Sequence, residues 1–144
     1  MTTRMRISFS LYMLLALFSA GAGIVYLLTP TVMPYHLQAI GVPWNELGEG
    51  VRALLWVVVK LIGGLSIIMS AVMAILVLIP FRRNEPWAVI TIPLMVFLTD
   101  ALMLGVTIYV KYKTGAATPI AMMAVSTGVV VVAGVLSLDM GKKE

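Results

Sequence analysis

The chain has 144 residues, of which 61% are hydrophobic and 11% are charged, and its mean hydropathy is +1.06. Soluble domains carry about 25% charged residues, so this composition excludes a water-soluble globular protein and predicts one membrane domain over residues 1–144. The net charge of +4 does not indicate nucleic-acid binding, because the basic residues lie in short loops and near the two ends, where they suit lipid headgroups. The absence of cysteine excludes disulfides, thiolate metal sites and cysteine nucleophiles.

Four apolar segments follow one another along the chain, each near the ~20 residues that a ~30 Å hydrocarbon core requires. They cover residues 7–28, 51–79, 87–110 and 119–138. Prolines mark their limits: Pro30 and Pro80 follow the first two segments, and Pro86 and Pro119 precede or begin the last two. Isolated strands cannot cross lipid, so all four segments should be helices. The predicted fold is an all-α, integral membrane four-helix transmembrane bundle.

The longest connection joins the first two segments and covers residues 30–50. Within it, residues 34–40 bring Met33, Leu37 and Ile40 onto one face and end at a glycine. This pattern is typical of a short helix that lies flat on the outer membrane surface. The sequence therefore predicts a short outer interfacial helix over residues 34–40, with its apolar face buried.

Membrane topology follows from the lysines and arginines of short loops, which favour the cytoplasmic side. With both termini inside, six basic residues are cytoplasmic and three are outside. The cytoplasmic set is Arg4, Arg6, Arg82, Arg83, Lys142 and Lys143, and the outer set is Arg52, Lys111 and Lys113. We therefore expect a multi-pass protein of the cell (inner) membrane whose N-terminus and C-terminus are both cytoplasmic.

Two ionisable residues interrupt the apolar segments, Lys60 in the second and Asp100 in the third. A charge in hydrocarbon costs about 2.5–3.5 kcal/mol on insertion scales, so such residues usually face a partner, a cavity or the bundle interior. Counted at 1.5 Å per residue, Lys60 lies about 10–14 Å and Asp100 about 15–17 Å inside the outer ends of their segments. Because these depths nearly coincide, we predict a direct bond between the two side chains.

Further polar and aromatic residues extend this pair into a predicted cluster in the outer half of the bundle. Steps of three and four residues place Glu49 and Trp56 on the Lys60 face, and Thr107 on the Asp100 face. The candidate ligand-binding or ion-pair residues are Lys60, Asp100, Glu49, Glu46, Thr107 and Trp56. The candidate lid residues in the first loop are His36, Tyr35 and Trp44.

The Lys60–Asp100 pair has three alternative roles. It could fix only the register of two helices, or it could handle a ligand, an ion or a proton. Lys60 could instead extend towards the outer surface beside a protonated Asp100. Met69 and Met73 lie one turn apart and could hold Cu(I), but with one histidine and no cysteine we interpret them as core residues. We expect no metal and no cofactor.

No phosphate loop, HExxH motif, nucleophile elbow or paired-carboxylate arrangement is present in the sequence, so we expect no enzyme. The leading hypothesis is a small membrane protein that binds or translocates a small or lipid-like ligand through the polar cluster, as in transport. In the alternative, the chain is a non-catalytic accessory or assembly subunit of a larger membrane complex, and the pair is purely structural. The expected partners are membrane lipids, a small ligand, further copies of the chain or other membrane proteins.

Overall fold

The computed structural model describes residues 2–138, and this part of the chain is all-α. The helices are α1 (Thr3–Leu28), α2 (Pro34–Ile40), α3 (Glu49–Leu76), α4 (Pro86–Thr114) and α5 (Ile120–Leu138). A 3-10 turn (Trp44–Glu46) precedes α3, and a π-helical turn (Val77–Phe81) extends it. Four helices are long and apolar enough to cross a membrane, namely α1, α3 with its π-helical turn, α4 and α5. The predicted four-helix transmembrane bundle is confirmed, and the chain has the build of a multi-pass membrane protein.

The ends of the helices follow the prolines with one exception. α4 begins at Pro86 and α1 ends at Leu28, two residues before Pro30, as the sequence predicts. Pro80, however, does not end the second span but lies inside the π-helical turn. The amide of Arg82 donates to the carbonyl of Val77 at 3.2 Å, five residues earlier, so the hydrogen bonds bypass the proline nitrogen, which has no proton to donate.

The short helix of the first loop has the predicted bounds. α2 starts with Pro34 in its first turn and ends at Gly41, whose φ of 76° is the left-handed conformation that glycine adopts without strain. Its apolar face is only partly covered, since Leu37 is half-buried and Ile40 is 37% exposed. α2 packs on α4, and Gln38 Oε1 accepts a hydrogen bond from the Ala117 amide at 2.9 Å. The helix is thus attached to the turn that joins α4 to α5.

The order of the helices in the bundle differs from their order in the chain. α1 packs along α3 on one side and along α5 on the other, and α4 packs on α5. α3 and α4 are consecutive in sequence, yet α1 and α5 lie between them over most of their length. The spatial order is therefore α3, α1, α5, α4, which sets the surroundings of the two ionisable residues.

Two glycines bring the backbones of α1 and α3 into direct contact. A Cβ atom on Gly23 of α1 would lie 2.7 Å from the Gly63 carbonyl oxygen of α3, and a Cβ on Gly63 would lie 2.8 Å from the Gly23 carbonyl oxygen. Any residue other than glycine would place a Cβ atom too close to the opposite carbonyl oxygen. The two backbones touch directly, as small residues allow in membrane helices.

The tightly packed core lies at one end of the bundle, which we call the core end. It joins the start of α1, the π-helical turn, the start of α4 and the last turns of α5 through Met5, Tyr12, Val77, Phe81, Ala88, Ile92 and Ala133. The rings of Tyr12 and Phe81 meet edge to face with centroids 5.5 Å apart. Ser8 Oγ also donates to the Ala133 carbonyl at 2.7 Å, which fixes α1 against α5.

Replacement of Gly63 by alanine should separate α1 from α3, because the new Cβ overlaps the Gly23 carbonyl. Overpacking of this kind costs about 1–3 kcal/mol. We expect Gly63→Ala to unfold at a lower temperature than the wild type in detergent, as measured by helical circular dichroism.

The neighbouring glycine supplies the matched control. A Cβ on Gly64 would have no atom within 4 Å, so Gly64→Ala should be neutral or slightly stabilising, because alanine is the better helix former. Equal melting temperatures for the two variants would show that the backbones are not in contact at Gly63.

Candidate functional site

Lys60 is held by the end of α1. Its Nζ donates to the carbonyl oxygens of Tyr26 at 3.2 Å and Leu27 at 2.7 Å, and to that of Thr29. The last carbonyls of a helix have no intrahelical donor, and the residue that would serve Tyr26 is Pro30, which has no N–H. Since an ammonium group has three donors, these three bonds use them all.

Two further features stabilise the ammonium at this place. The negative end of a helix dipole favours a cation, and Nζ lies at the carboxyl end of α1. The Trp56 ring lies one turn away on α3, with its centroid 5.4 Å from Nζ, within the range of a cation–π contact. Lys60 is therefore bonded to its own chain and joins α3 to α1.

Asp100 has a different partner. Ser126 Oγ of α5 donates to Asp100 Oδ2 at 2.5 Å, and the carboxyl is half-buried. Within residues 2–138, the second carboxyl oxygen accepts no hydrogen bond. Asp100 thus contributes one polar contact between α4 and α5 and leaves part of its carboxyl at the surface of this helix pair.

The direct bond predicted between Lys60 and Asp100 is corrected by these contacts. In the described part of the chain the two side chains form no ion pair, because α1 supplies the partners of Lys60 and α5 supplies that of Asp100. A direct bond would require α3 and α4 to be neighbours at this depth, whereas α1 and α5 lie between them. Equal depth in the membrane does not bring two helices together.

The other residues of the predicted cluster are not brought together either. Glu46 and Glu49 are exposed, and Glu49 lies in the first turn of α3, where the helix dipole favours an acid. Thr107 donates to the Met103 carbonyl of its own helix at 2.7 Å, and its own carbonyl accepts from Thr118 Oγ1 at 3.2 Å. Of the predicted residues, only Trp56 lies beside Lys60.

The two lid residues of α2 form an aromatic cluster with α1. The Tyr35 and Tyr26 hydroxyls share a hydrogen bond, and the His36 ring lies 4.2 Å from the Tyr35 ring and 6.3 Å from the Tyr26 ring between centroids. Nδ1 of His36 is buried and has no hydrogen-bond partner among residues 2–138. Trp44, the third predicted lid residue, is half-buried in the 3-10 turn. The lid role of all three stays a prediction.

Burial sets the protonation of this aromatic cluster. It lowers the pKa of His36, so the neutral imidazole is favoured. Burial also raises the pKa of Tyr35, and the hydrogen bond that Tyr35 shares with Tyr26 raises it further. The Tyr35 phenol therefore stays protonated. His36 and Tyr35 are therefore both uncharged at neutral pH.

Three residues that complete these contacts, Tyr26, Ser126 and Gln38, are not among the site residues predicted from the sequence. The signal for Tyr26 was the end of α1 before Pro30, because unpaired carbonyls there attract a cation. The signal for Ser126 is a hydroxyl in a mostly apolar span, in which Thr127 and Ser137 carry the others. Nothing in the sequence indicates that Gln38 contacts the Ala117 amide.

Comparisons with known proteins add no further assignment. No protein-family model, no curated protein and no solved structure matches this chain. Within residues 2–138, no group of three or more histidine, aspartate or glutamate side chains could hold a metal ion. The fold and its contacts therefore define the class only, an α-helical multi-pass membrane protein with a lysine-capped first helix.

Loss of the Lys60 ammonium should destabilise the protein independently of Asp100. Lys60→Met leaves carbonyls at the end of α1 without a donor, and an unsatisfied polar group costs about 1–3 kcal/mol. Asp100→Leu removes one hydrogen bond and also a carboxyl from an apolar setting, so its effect should stay within about 1 kcal/mol. The double variant should show the sum of both within about 0.5 kcal/mol, because the residues share no partner.

Thermal or denaturant unfolding of the four proteins in detergent measures this cycle. Lys111→Met removes an exposed lysine from the last turn of α4 and is the control for loss of charge. A double variant that loses less stability than the sum of the two single variants, by clearly more than about 0.5 kcal/mol, would instead support the direct Lys60–Asp100 bond.

Proposed function

We propose that this chain is a non-catalytic membrane subunit that assembles into a larger membrane complex through the α4–α5 surface around Asp100. In this proposal Lys60 is structural, and Asp100 is the polar group that a neighbouring chain binds. The observation that carries the proposal is the carboxyl oxygen of Asp100 that has no hydrogen bond among residues 2–138.

The contacts of Lys60 favour assembly over ligand handling. A ligand that competes for the ammonium would have to displace the carbonyls of Tyr26, Leu27 and Thr29, which have no other donor in the described structure. Displacement would therefore uncap α1 and leave its last turn unsatisfied in a membrane, where such groups cost several kcal/mol. A lysine that caps a helix is suited to a permanent contact.

Asp100 is suited to the opposite role. Ionisable side chains in membrane spans usually pair with another polar group, and Ser126 provides only one donor. The carboxyl is half-buried, and exposed apolar side chains, Phe97 and Met103, lie one turn to either side of it. A helix of another chain with a hydrogen-bond donor at this depth would bind the second carboxyl oxygen of Asp100 and cover both apolar residues.

Native gel electrophoresis of membranes in a mild detergent tests the proposal. The wild-type chain should migrate in a species well above its own mass of 15.6 kDa, and Asp100→Leu should release it as a single chain. Asp100→Asn keeps hydrogen-bonding groups at the same depth and should retain part of the complex.

Thr99→Leu is the matched control, because Thr99 is exposed at the adjacent position and its hydroxyl bonds the Met95 carbonyl of its own helix. It should leave the complex intact. A wild-type chain that migrates alone, or an Asp100→Leu complex of unchanged size, would overturn the assembly proposal.

A second candidate function is the binding of a small ligand beneath α2. It is supported by the buried Nδ1 of His36, which has no partner among residues 2–138, beside the two tyrosines. An imidazole nitrogen among aromatic rings suits a small molecule with one polar group. The same gel separates the candidates, because only the assembly function depends on Asp100.

We also propose that the protein lies in the cell (inner) membrane with both termini in the cytoplasm. The charge asymmetry supports this orientation, since Arg82 and Arg83 lie on the side of the N-terminus and Lys111 and Lys113 on the other. The natural chain has no cysteine, so single cysteines at the exposed positions 84 and 113 can be labelled one at a time. An impermeant maleimide applied to intact cells should modify Lys113→Cys and spare Asn84→Cys. The reverse pattern would show that the protein has the opposite orientation in the membrane.

A further inference from the structure

An apolar groove of about 330 Å³ runs between α4 and α5 near the core end. Its walls include Ile90, Leu94 and Phe97 of α4 and Val131 of α5, and Gly134 forms part of its floor. At Gly134 the two helices are close, since a Cβ there would lie 3.4 Å from Pro93 Cβ. Because Gly134 has no side chain, nothing fills the groove at this position.

The length of the groove suits an acyl chain. From Ile90 to Phe97 it extends about 10 Å along α4 at 1.5 Å per residue. One leaflet contributes about 15 Å to a ~30 Å hydrocarbon core, so the groove covers about two thirds of a leaflet. Because it opens on the surface of a membrane-spanning pair of helices, lipid is the molecule that surrounds it.

Trp87 marks the end of the groove that lies towards the headgroups. Its position, three residues before Ile90, continues the row of Ile90, Leu94 and Phe97 on the same face of α4. The ring is 51% exposed, and its Nε1 donates to Glu85 Oε2 at 2.7 Å. Tryptophan is enriched at the level of lipid headgroups, so this end of α4 is the membrane–water boundary.

Two arginines lie just beyond this boundary. Arg82 and Arg83 precede α4 by four and three residues, and both are exposed. Neither guanidinium forms an ion pair within residues 2–138, and the nearby Glu85 is occupied by Trp87. Guanidinium groups bind phosphate through paired hydrogen bonds. Positive charge at the mouth of an apolar groove is complementary to a lipid with an anionic headgroup.

We propose that the α4–α5 groove holds an acyl chain of an anionic phospholipid whose phosphate is bound by Arg82 and Arg83. The lipid belongs to the leaflet that the α3–α4 connection faces. The site adjoins the assembly contact at Asp100, because Phe97 lines the far end of the groove and precedes Asp100 by about one turn of α4.

Fluorescence of Trp87 reports occupancy of the groove. The chain has three tryptophans, and Trp44→Phe with Trp56→Phe leaves Trp87 as the sole indole. This protein is reconstituted into phosphatidylcholine vesicles with a minor fraction of phosphatidylglycerol, and either lipid in turn carries bromine in its acyl chains. At equal mole fraction, brominated phosphatidylglycerol should quench Trp87 several-fold more than brominated phosphatidylcholine. Equal quenching by the two lipids overturns the proposal.

Charge variants test the contribution of the headgroup. Each arginine near an anionic surface contributes about a five-fold preference, so Arg82→Gln with Arg83→Gln should bring the two lipids close to equal quenching. Lys111→Gln with Lys113→Gln removes the same charge from the other end of α4 and should keep the preference. Loss of the preference in both pairs of variants would show a net-charge effect, and this too overturns the proposal.

A groove variant tests the acyl chain. Val131→Phe places a ring in the groove and should reduce quenching by brominated phosphatidylglycerol to the level of phosphatidylcholine. Val132→Phe adds the same ring at the next position, which is 53% exposed and does not line the groove, and should leave quenching unchanged. Unchanged quenching in Val131→Phe, with helical content equal to that of the control, excludes the groove as the site.

Discussion

The bond between the Lys60 ammonium and the last carbonyls of α1 is the constraint on which one end of the bundle depends. Each partner alone is unfavourable in a membrane, since a cation in hydrocarbon and a helix end without donors both lack hydrogen bonds. Together they satisfy each other, because three donors meet three carbonyls at the negative end of a helix dipole. The same residues carry the contact onwards, as Tyr26 also bonds Tyr35 of α2.

This bond is possible only because α1 and α3 approach closely. Gly23 and Gly63 bring the two backbones into contact, and each lies about one turn from its partner in the lysine contact: Tyr26 follows Gly23, and Lys60 precedes Gly63. A larger residue at either glycine would move the carbonyls away from Nζ. The glycine contact and the lysine cap therefore form one unit that fixes α1 on α3.

The sequence predicts where the helices of this protein lie in the chain far better than which helices are in contact in the bundle. Hydropathy and prolines locate the four spans, and a three-residue face ending at Gly41 locates α2, because these signals are local. The bond between Lys60 and Asp100 was inferred from equal depth, yet depth does not determine which helices touch. That choice depends on side-chain fit across α1 and α5, where the glycines and the hydroxyl of Ser8 are decisive.

The two halves of the bundle consequently differ in character. In the α1–α3 half, Lys60 is satisfied within the chain and the Gly23–Gly63 backbone contact is internal. In the α4–α5 half, one carboxyl oxygen of the half-buried Asp100 has no hydrogen bond among residues 2–138, and an apolar groove opens beside Gly134. The assembly that we propose therefore uses the α4–α5 surface. A partner helix that covers this surface over its whole length would displace a lipid from the groove, whereas one confined to the level of Asp100 would meet the lipid only at Phe97 and leave the rest of the groove open.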